Sequence, residues 1–562
     1  MTGSRQTTNH EIEAKFMLLD AARVAHWCTT PSLTVAFPLR IPTTVTHLDT
    51  YLDAADYRLL RRGYTLRLRQ ATAGYLVTVK SLPLNVDSAV HNRLELEGPT
   101  IVDGDPWQIS SWPEAIGQFI GALLGAEVEL HSLCTLQQTR HRRDVLSNPA
   151  NAQPVAELSI DQVVVYGSGF ACTGADKDLT LSQAQPDLNG PKTSKPLATF
   201  YEIEIELKPG QDQALLNRLV RTLAKDRTLR ANIRSKVERA LEQISTQAFD
   251  GENYGAAIQS TTQIAEACRG LWHQQLTQLL LKEAGVRYSH HSTYVHDMQV
   301  EIERARVATR LFGQYFRTKR IRRLTKFLKQ ASQRLGAIGS LDIALNELAN
   351  FATENSAANP ADLITLATHW RVERMHAHQA LLTWLDSHAY GRFIEKFARF
   401  CRTPGKGAKK FTTIPGKAPA SYQVRHVMPS LLLERFKRIR CFETLFEAGE
   451  PLSETTLHAL RIECQYMSDC LEFMRPLPGF HSEPLIKALK KLQDHLGHAN
   501  DAAISLMLLK ASPLMLDQST IEQYRHVQAA MVASLREPLA LDFANFLVLA
   551  NRRKLAQAIA HI

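Results

Sequence analysis

The sequence lacks several features that commonly mark a protein's compartment or chemistry. No uninterrupted apolar run approaches the roughly 18 residues needed to cross a bilayer, so no membrane span is expected. Cysteine is sparse: eight residues in 562, at 28, 134, 172, 268, 401, 441, 464 and 470, with no C-x-x-C pair and no zinc-ligand spacing. Such thiols read as reduced and mostly packed in a core. The opening MTGSRQTTNHEIEAKF has no apolar stretch of the kind a secretory signal requires, so a cytoplasmic protein is expected. Neither G-x-x-x-x-G-K-[ST] nor G-x-G-x-x-G occurs, which removes two common glycine-rich phosphate cradles. The basic segments lack interleaved aromatic platforms and any recognised DNA-reading motif, so nucleic acid is not an expected partner.

A chain of 562 residues is too long for one core, and its charge divides it. Through Asp250 there are 26 basic and 28 acidic residues; from totals of 66 and 56 this leaves 40 and 28 afterwards, so the halves carry −2 and +12. A basic second half suits a polyanionic partner or a solvated helical surface.

Periodicity divides the chain at the same place. Up to about residue 245 apolar and polar residues alternate in short runs, as in Glu11-Ile-Glu-Ala-Lys15, Tyr64-Thr-Leu-Arg-Leu-Arg69, Tyr75-Leu-Val-Thr-Val-Lys80 and Tyr201-Glu-Ile-Glu-Ile-Glu-Leu-Lys208. Period two predicts strands. Helical spacing over Ser110–Leu124 and Gln211–Leu223 makes the first domain α+β with a dominant antiparallel sheet, and the polar stretch 167–197 reads as a long hairpin loop. From about residue 258 to 555 the spacing becomes i, i+3, i+4, which predicts an all-α domain. His296-Asp-Met-Gln-Val-Glu301 resembles His458-Ala-Leu-Arg-Ile-Glu463, and Leu335-Gly336 resembles Leu496-Gly497, which favours two related bundles.

Residues two apart on a strand share a face. Glu11, Glu13 and Lys15 therefore point one way, and the pattern recurs at Arg67/Arg69, Arg93/Glu95/Glu97, Glu157/Asp161 and Glu202/Glu204/Glu206/Lys208. The interleaved positions are mostly leucine and isoleucine, which helices could cover. A sheet with an apolar outer face must turn its charges to bulk water or into a lumen, and a closed antiparallel barrel supplies the lumen. Arginine and lysine clamp phosphoryl oxygens, while aspartate and glutamate hold divalent cations, so the inventory fits a phosphate chain with metal.

At these residues the sequence resembles the CYTH family, the triphosphate tunnel metalloenzymes. Glu11-Ile-Glu-Ala-Lys15 is similar to that family's E-x-E-x-K strand. His47-Leu-Asp-Thr-Tyr-Leu-Asp53, Gly63, Leu66-Arg67-Leu68-Arg69 and Thr78-Val79-Lys80 resemble its next run. Glu157-Leu-Ser-Ile-Asp161, Glu202-Ile-Glu-Ile-Glu-Leu-Lys208 and Ser235-Lys236 resemble its later ones. The match covers residues 9–245 and implies an eight-stranded tunnel with outer helices. It implies phosphate binding by Lys15, Arg67, Arg69, Lys80, Arg140 and Lys236, with Arg142 and Arg143 crowding the Arg140 segment. It implies that Glu11, Glu13, Glu204 and Glu206 hold Mg²⁺ or Mn²⁺, with Glu95 and Asp161 contributing and Glu11, Glu13, Lys15, Arg67, Arg69 and Lys80 forming the catalytic core. Glu202 and Glu97 read slightly more as solvated flanks than as ligands.

The second half resembles the CHAD domain, whose members are thought to bind inorganic polyphosphate. His296, His458, Arg461, Leu496-Gly497 and Asn500-Asp501 carry the resemblance, whereas Gln299, Glu303, Gly339 and Gln465 stand where that pattern has Arg or Lys. Arg317–Arg334 and the cations at Lys406, Lys409, Lys410, Arg435, Lys437, Arg438 and Arg440 are candidate replacements. His376/His378 and His495/His498 lack ligand spacing and are not read as metal sites. The resulting expectation is a metal-dependent hydrolase of inorganic triphosphate. Thiamine triphosphate hydrolysis, adenylate cyclisation and a non-catalytic polyphosphate-binding role remain alternatives.

Overall fold

The computed structural model describes residues 9–562 except 72–73, 83–89, 102–106, 126–127, 149–150, 168–195, 233, 247, 251–252, 257, 290, 355–358, 410–421, 450–451 and 478. Most of the 167–197 loop and Lys410 lie outside the described residues, as do the side chains of Glu11 and Arg93.

The first part of the chain runs β1 (Asn9–Leu18), α1 (Arg23–Thr29), β2 (Ser32–Thr34), β3 (Phe37–Pro38), β4 (Thr43–Ala54), α2 (Arg58–Arg61), β5 (Tyr64–Ala71), β6 (Gly74–Ser81), β7 (Val90–Pro99), α3 (Glu114–Leu124), β8 (Leu130–Asn148), β9 (Asn151–Gly167), β10 (Ala198–Leu207), α4 (Gln213–Leu223), β11 (Leu229–Ala231) and α5 (Lys236–Thr246). The sheet order is β10-β9-β8-β4-β5-β6-β7-β1-β11, and β10 also pairs with β1. Eight antiparallel strands therefore close on themselves, and β11 lies outside the circuit as a short ninth strand along β1.

Alternation explains why the closed form is stable. Ala14, Phe16, Leu66, Leu68, Val77, Val79, Leu158, Ile160, Ile203 and Ile205 point away from the lumen and are all buried. Two apolar layers cover them. Leu216, Leu219 and Leu223 of α4 pack on β1, β9 and β10; Ile116, Ile120 and Leu124 of α3 pack on β4, β5 and β6. Burial of one such side chain contributes about 1.5–3 kcal/mol, so the outer cores are large enough to support a polar lumen.

The turn from β4 to β5 depends on the second aspartate of HLDTYLD. Asp53 is 1% exposed and accepts the backbone N–H groups of Ala54, Leu59 and Leu60 at 2.7, 2.8 and 2.9 Å. It thereby serves donors at the start of α2 that have no intrahelical partner. Tyr57, at the start of that helix, has φ +57°, in the left-handed region.

The remainder contains the short hairpin β12 (Ala248–Asp250) and β13 (Asn253–Ala256), then helices only. These are α6 (Ile264–Tyr288), α7 (Ser292–Phe312), α8 (Thr318–Glu354), α9 (Pro360–Leu385), α10 (His388–Arg402), α11 (Val424–Arg440), α12 (Glu443–Glu447), α13 (Glu454–Met474), α14 (Glu483–Ala511), α15 (Gln518–Ser534), α16 (Arg536–Leu547) and α17 (Leu549–Ala560). By compactness the chain forms two units, one of residues 1–246 with 280–291 and 391–402, the other of the rest. Among the described residues no helix is long and apolar enough to cross a membrane.

Within the helical unit α7 packs on α8, α13 on α14, and α14 on α8. The two matched segments therefore occupy equivalent places. His296 and His458 stand exposed on α7 and α13, and Leu335 and Leu496 lie buried on the paired helices α8 and α14.

Candidate active site in the barrel

Closure of the barrel gathers the charged faces around a cavity of about 420 Å³. The charges are sorted by strand. Arg67 and Arg69 on β5, Lys80 on β6, and Arg140 and Arg142 on β8 form a basic wall. Glu95 and Glu97 on β7, Glu13 on β1, Glu204 and Glu206 on β10, and Glu157 on β9 form the acidic side, joined by Lys15 on β1 and by Lys236 at the start of α5. Among the described residues only Tyr51, Leu207, Pro209 and Val237 add apolar or aromatic surface to the lining.

Buried carboxylates hold the cations in place. Asp49, 1% exposed, receives Arg69 through two hydrogen bonds of 2.7 and 2.8 Å, with Arg67 at 3.7 Å. Burial alone would raise Asp49, but Arg67 and Arg69 outweigh it and bring its carboxyl down to about 2. Arg67 also donates to Thr78 Oγ1 at 2.9 Å and to Glu97 at 3.1 Å. Lys80 pairs with Glu95 at 3.0 Å.

The densest cluster lies where β1, β8, β9 and β10 meet α5. Arg140 grips Asp161 with two bonds of 2.8 and 2.7 Å and also pairs with Glu204. Lys15 and Lys236 each reach Glu204 at 2.5 Å, and Lys236 lies 3.0 Å from Asp161. Against burial, these three cations hold the Glu204 carboxyl well below its ordinary range. Glu157, gripped by Arg142 at 2.8 Å and by Lys208 at 3.1 Å, is likewise brought down to about 2 against burial.

The expected residues Glu13, Lys15, Arg67, Arg69, Lys80, Glu95, Arg140, Glu204, Glu206 and Lys236 all line this one cavity. Asp161 does not. It is fully buried behind Arg140 and Lys236, where it orients both. The crowding of Arg140, Arg142 and Arg143 is resolved by alternation: the first two face the lumen, whereas Arg143 points outward and donates to the carbonyls of Arg40 and Trp27. Glu202 is not a solvated flank. It is fully buried and bonded to Asn232 at 3.0 Å and Arg239 at 2.6 Å. Glu97 sits exposed at the rim, bound to Arg67 and Thr78.

Asp49, His47 and Gln138 were not singled out from the sequence, although period two from Tyr51 along HLDTYLD places Asp49 and His47 on the same inward face.

The donor set fits a divalent cation. Glu13 stands directly opposite Glu206 on the β1–β10 ladder, and Glu206 opposite Glu157 on β10–β9. Like charges placed directly opposite destabilise a sheet, and a cation between them removes that cost. Among the described residues no three His, Cys, Asp or Glu side chains converge as a ready cage. The row therefore suits an ion that takes one or two carboxylates and completes its shell with substrate oxygens and water, as Mg²⁺ does.

In the helical unit several cations are already neutralised. Arg306 pairs with Glu303 at 2.8 Å, Arg374 with Asp342 at 2.5 Å, and Arg435 with Glu463 at 3.2 Å. Arg438 pairs with Glu434 at 2.8 Å. Two of the expected departures are coupled: a Cβ at Gly339 would come within 2.6 Å of Gln299 Oε1, so the glycine makes room for the glutamine. His495 bonds Asp542 at 3.1 Å, which accounts for it without a metal.

Comparison with known proteins agrees with this division. The CYTH domain model matches residues 9–241, and the CHAD domain model matches residues 270–510. Among curated proteins no sequence match was found. Similar solved structures include PptA from Streptomyces chartreusis, 14% identical over 51% of this chain and 99% of that one, with a TM-score of 0.38. The CHAD domain from the plant Ricinus communis is 20% identical over 55% of this chain and 95% of that one, with a TM-score of 0.36. HpAC1 from Hippeastrum, described as having a dominant triphosphatase activity, is 18% identical over 40% of this chain and 93% of that one, with a TM-score of 0.24. CYTH proteins are triphosphate-tunnel hydrolases and cyclases that generally use divalent metals. The chain therefore carries a CYTH triphosphate-tunnel domain over residues 9–241, followed by a CHAD domain over residues 270–510.

Proposed function

We propose that the tunnel hydrolyses inorganic triphosphate to diphosphate and phosphate with Mg²⁺ or Mn²⁺, in a chain divided into a tunnel domain over 9–245 and a helical domain over 258–555, in the cytoplasm. The carrying observation is the lining: a basic wall faces an acidic one, and only four residues of the described lining, Tyr51, Leu207, Pro209 and Val237, are apolar or aromatic. A thiazole or adenine group would require an apolar or aromatic rim, whereas a bare phosphate chain requires only charge.

On this reading Arg67, Arg69, Lys80, Arg140, Lys15 and Lys236 bind phosphoryl oxygens, and the lumen-lining carboxylates Glu97, Glu95 and Glu204 give way to the substrate. Asp49 and Asp161 keep the arginines aimed during that exchange. Glu13 and Glu206, with Glu204, Glu95 and Glu11, would hold the metal, which when bound neutralises phosphoryl charge and makes water more acidic. Phosphoryl transfer needs mainly positioning and charge stabilisation, and the clamp supplies both without a covalent nucleophile.

The helical domain is assigned a polyphosphate-binding role. Lys319, Arg320, Arg322, Arg323, Lys326 and Lys329 are all exposed on the first half of α8, and no acidic residue occurs between Arg317 and Arg334. Phosphate release from triphosphate, ATP and thiamine triphosphate, each with and without Mg²⁺ or Mn²⁺, tests the tunnel assignment. Metal-dependent release fastest from triphosphate is expected; faster turnover of either organic substrate refutes the inorganic assignment.

A further inference from the structure

Among the described residues, His47 is the one histidine that lines the tunnel. It stands on β4 two residues before Asp49, on the same inward face, and opposite Gln138 of β8. The charged groups facing it are Arg67 and Arg69 from β5, Arg140 from β8, and Asp49 from its own strand. Asp49 is already committed to Arg69 by hydrogen bonds of 2.7 and 2.8 Å, so the imidazole sits among three guanidiniums with one shared carboxylate. Burial first, and then Arg69 and the other arginines, depress its pKa to about 4, so it is uncharged near neutrality. Arginine cannot lose its charge in this range, whereas imidazole can change its own.

We propose that His47 is a conditional cation of the tunnel: it is uncharged while protein carboxylates alone balance the basic wall, takes up a proton when a phosphate chain lies on Arg67, Arg69 and Arg140, and then donates to a phosphoryl oxygen. The inference rests on the reading of the tunnel as a triphosphate site. One negative charge about 5 Å away, at an effective dielectric near 20, changes a proton affinity by roughly a few hundredfold. A triphosphate brings several such charges, enough to reverse the effect of the arginines. Diphosphate brings fewer, so the proton is held less firmly after cleavage and the product is gripped more weakly than the substrate.

The test is calorimetry of sodium triphosphate binding to the full-length protein in EDTA at about pH 6.5, in buffers of different ionisation enthalpy. Wild type is compared with His47→Gln and His47→Asn, each checked by circular dichroism. Wild type is expected to take up about 0.5–1 proton more per bound triphosphate than either variant. Its affinity should also gain about 3- to 10-fold more than theirs between pH 7.5 and 6. Binding with equal proton uptake in all three proteins overturns the inference and leaves the tunnel reading intact. No binding to wild type either in EDTA or with Mg²⁺ in its place refutes the tunnel reading, and this inference with it; binding only with Mg²⁺, with equal proton uptake in all three proteins, overturns the inference alone.

Discussion

The two halves carry charge differently. In the barrel, ion pairs join neighbouring strands around a lumen, often with at least one partner buried, as in Arg140 with Asp161, and sometimes with both, as in Lys15 with Glu204. In the helical unit many pairs join residues three or four apart on one exposed helix, as in Arg438 with Glu434 and Arg304 with Glu301. An exposed pair of this kind contributes about 0–1 kcal/mol, whereas removing one partner of a buried pair costs about 3–5 kcal/mol. Charge count alone therefore says little about function. Similar residue types form a preorganised site where a closed sheet buries them and a solvated surface where a helix exposes them.

The largest effect that would sharpen this contrast is expected at Glu204, on which Lys15, Lys236 and Arg140 all converge. Glu204→Gln leaves three cations short of a partner. Metal-dependent phosphate release should fall by about 10²- to 10³-fold, as for other preorganised charge stabilisers. Metal-free triphosphate should bind at least as tightly as to wild type, because the internal competitor has gone. Equal loss of turnover and binding would show that Glu204 is needed only for folding. Arg67→Ala should lose turnover on the same scale and binding as well, measured by the same two assays.

Next comes Asp49→Asn, which releases Arg67 and Arg69 together. A carboxyl near 2 in the folded state and about 3.9 when unfolded contributes about 2–3 kcal/mol above pH 4, all lost as pH falls through 2. His47 acts earlier and by the opposite chemistry. Its depressed pKa means that the unfolded chain binds the extra proton between about pH 6.5 and 4, so stability drops over that window as pH falls. Thermal unfolding across a pH series should therefore lose its low-pH step in Asp49→Asn and become flatter between 6.5 and 4 in His47→Gln. An unchanged profile in either variant would remove that group from the acid response.

The barrel was legible because period two in a closed sheet leaves a charged residue little choice of direction. Once Glu13, Lys15, Arg67, Arg69, Glu204 and Glu206 share parity with their strands, closure alone brings them to one cavity. What parity could not give was depth. Asp161 and Glu202 follow the same alternation as Glu204, yet both are fully buried and serve as counter-ions, because α5 brings Lys236 and Arg239 over that end of the barrel. Asp49 was hidden for the converse reason: it has the right parity on a strand whose lumen-lining residues, His47 and Tyr51, include no carboxylate or permanent cation to mark the face. In the helical half the sequence identified helices and a repeat, but pairing across helices, such as Gln493 with Gln465 at 3.0 Å, depends on packing that no local pattern encodes.

The smallest expected effects lie in that helical half. Arg438→Ala removes an exposed pair with Glu434 and should change unfolding free energy by less than about 0.5 kcal/mol. Gly339→Ala is more discriminating. The added Cβ would meet Gln299 Oε1 at 2.6 Å, but that atom is the end of a flexible side chain that can move, while alanine favours the helix interior by about 0.5–1 kcal/mol. The two terms nearly cancel, so Gly339→Ala alone should be close to neutral. Gly339→Ala combined with Gln299→Ala should be more stable than Gln299→Ala alone by the full helix gain, read as a shift in denaturant midpoint at unchanged slope. If instead the glycine variant costs more than about 2 kcal/mol in both backgrounds, the close approach is made by the helix backbones, and Gln299 is incidental to why position 339 is glycine.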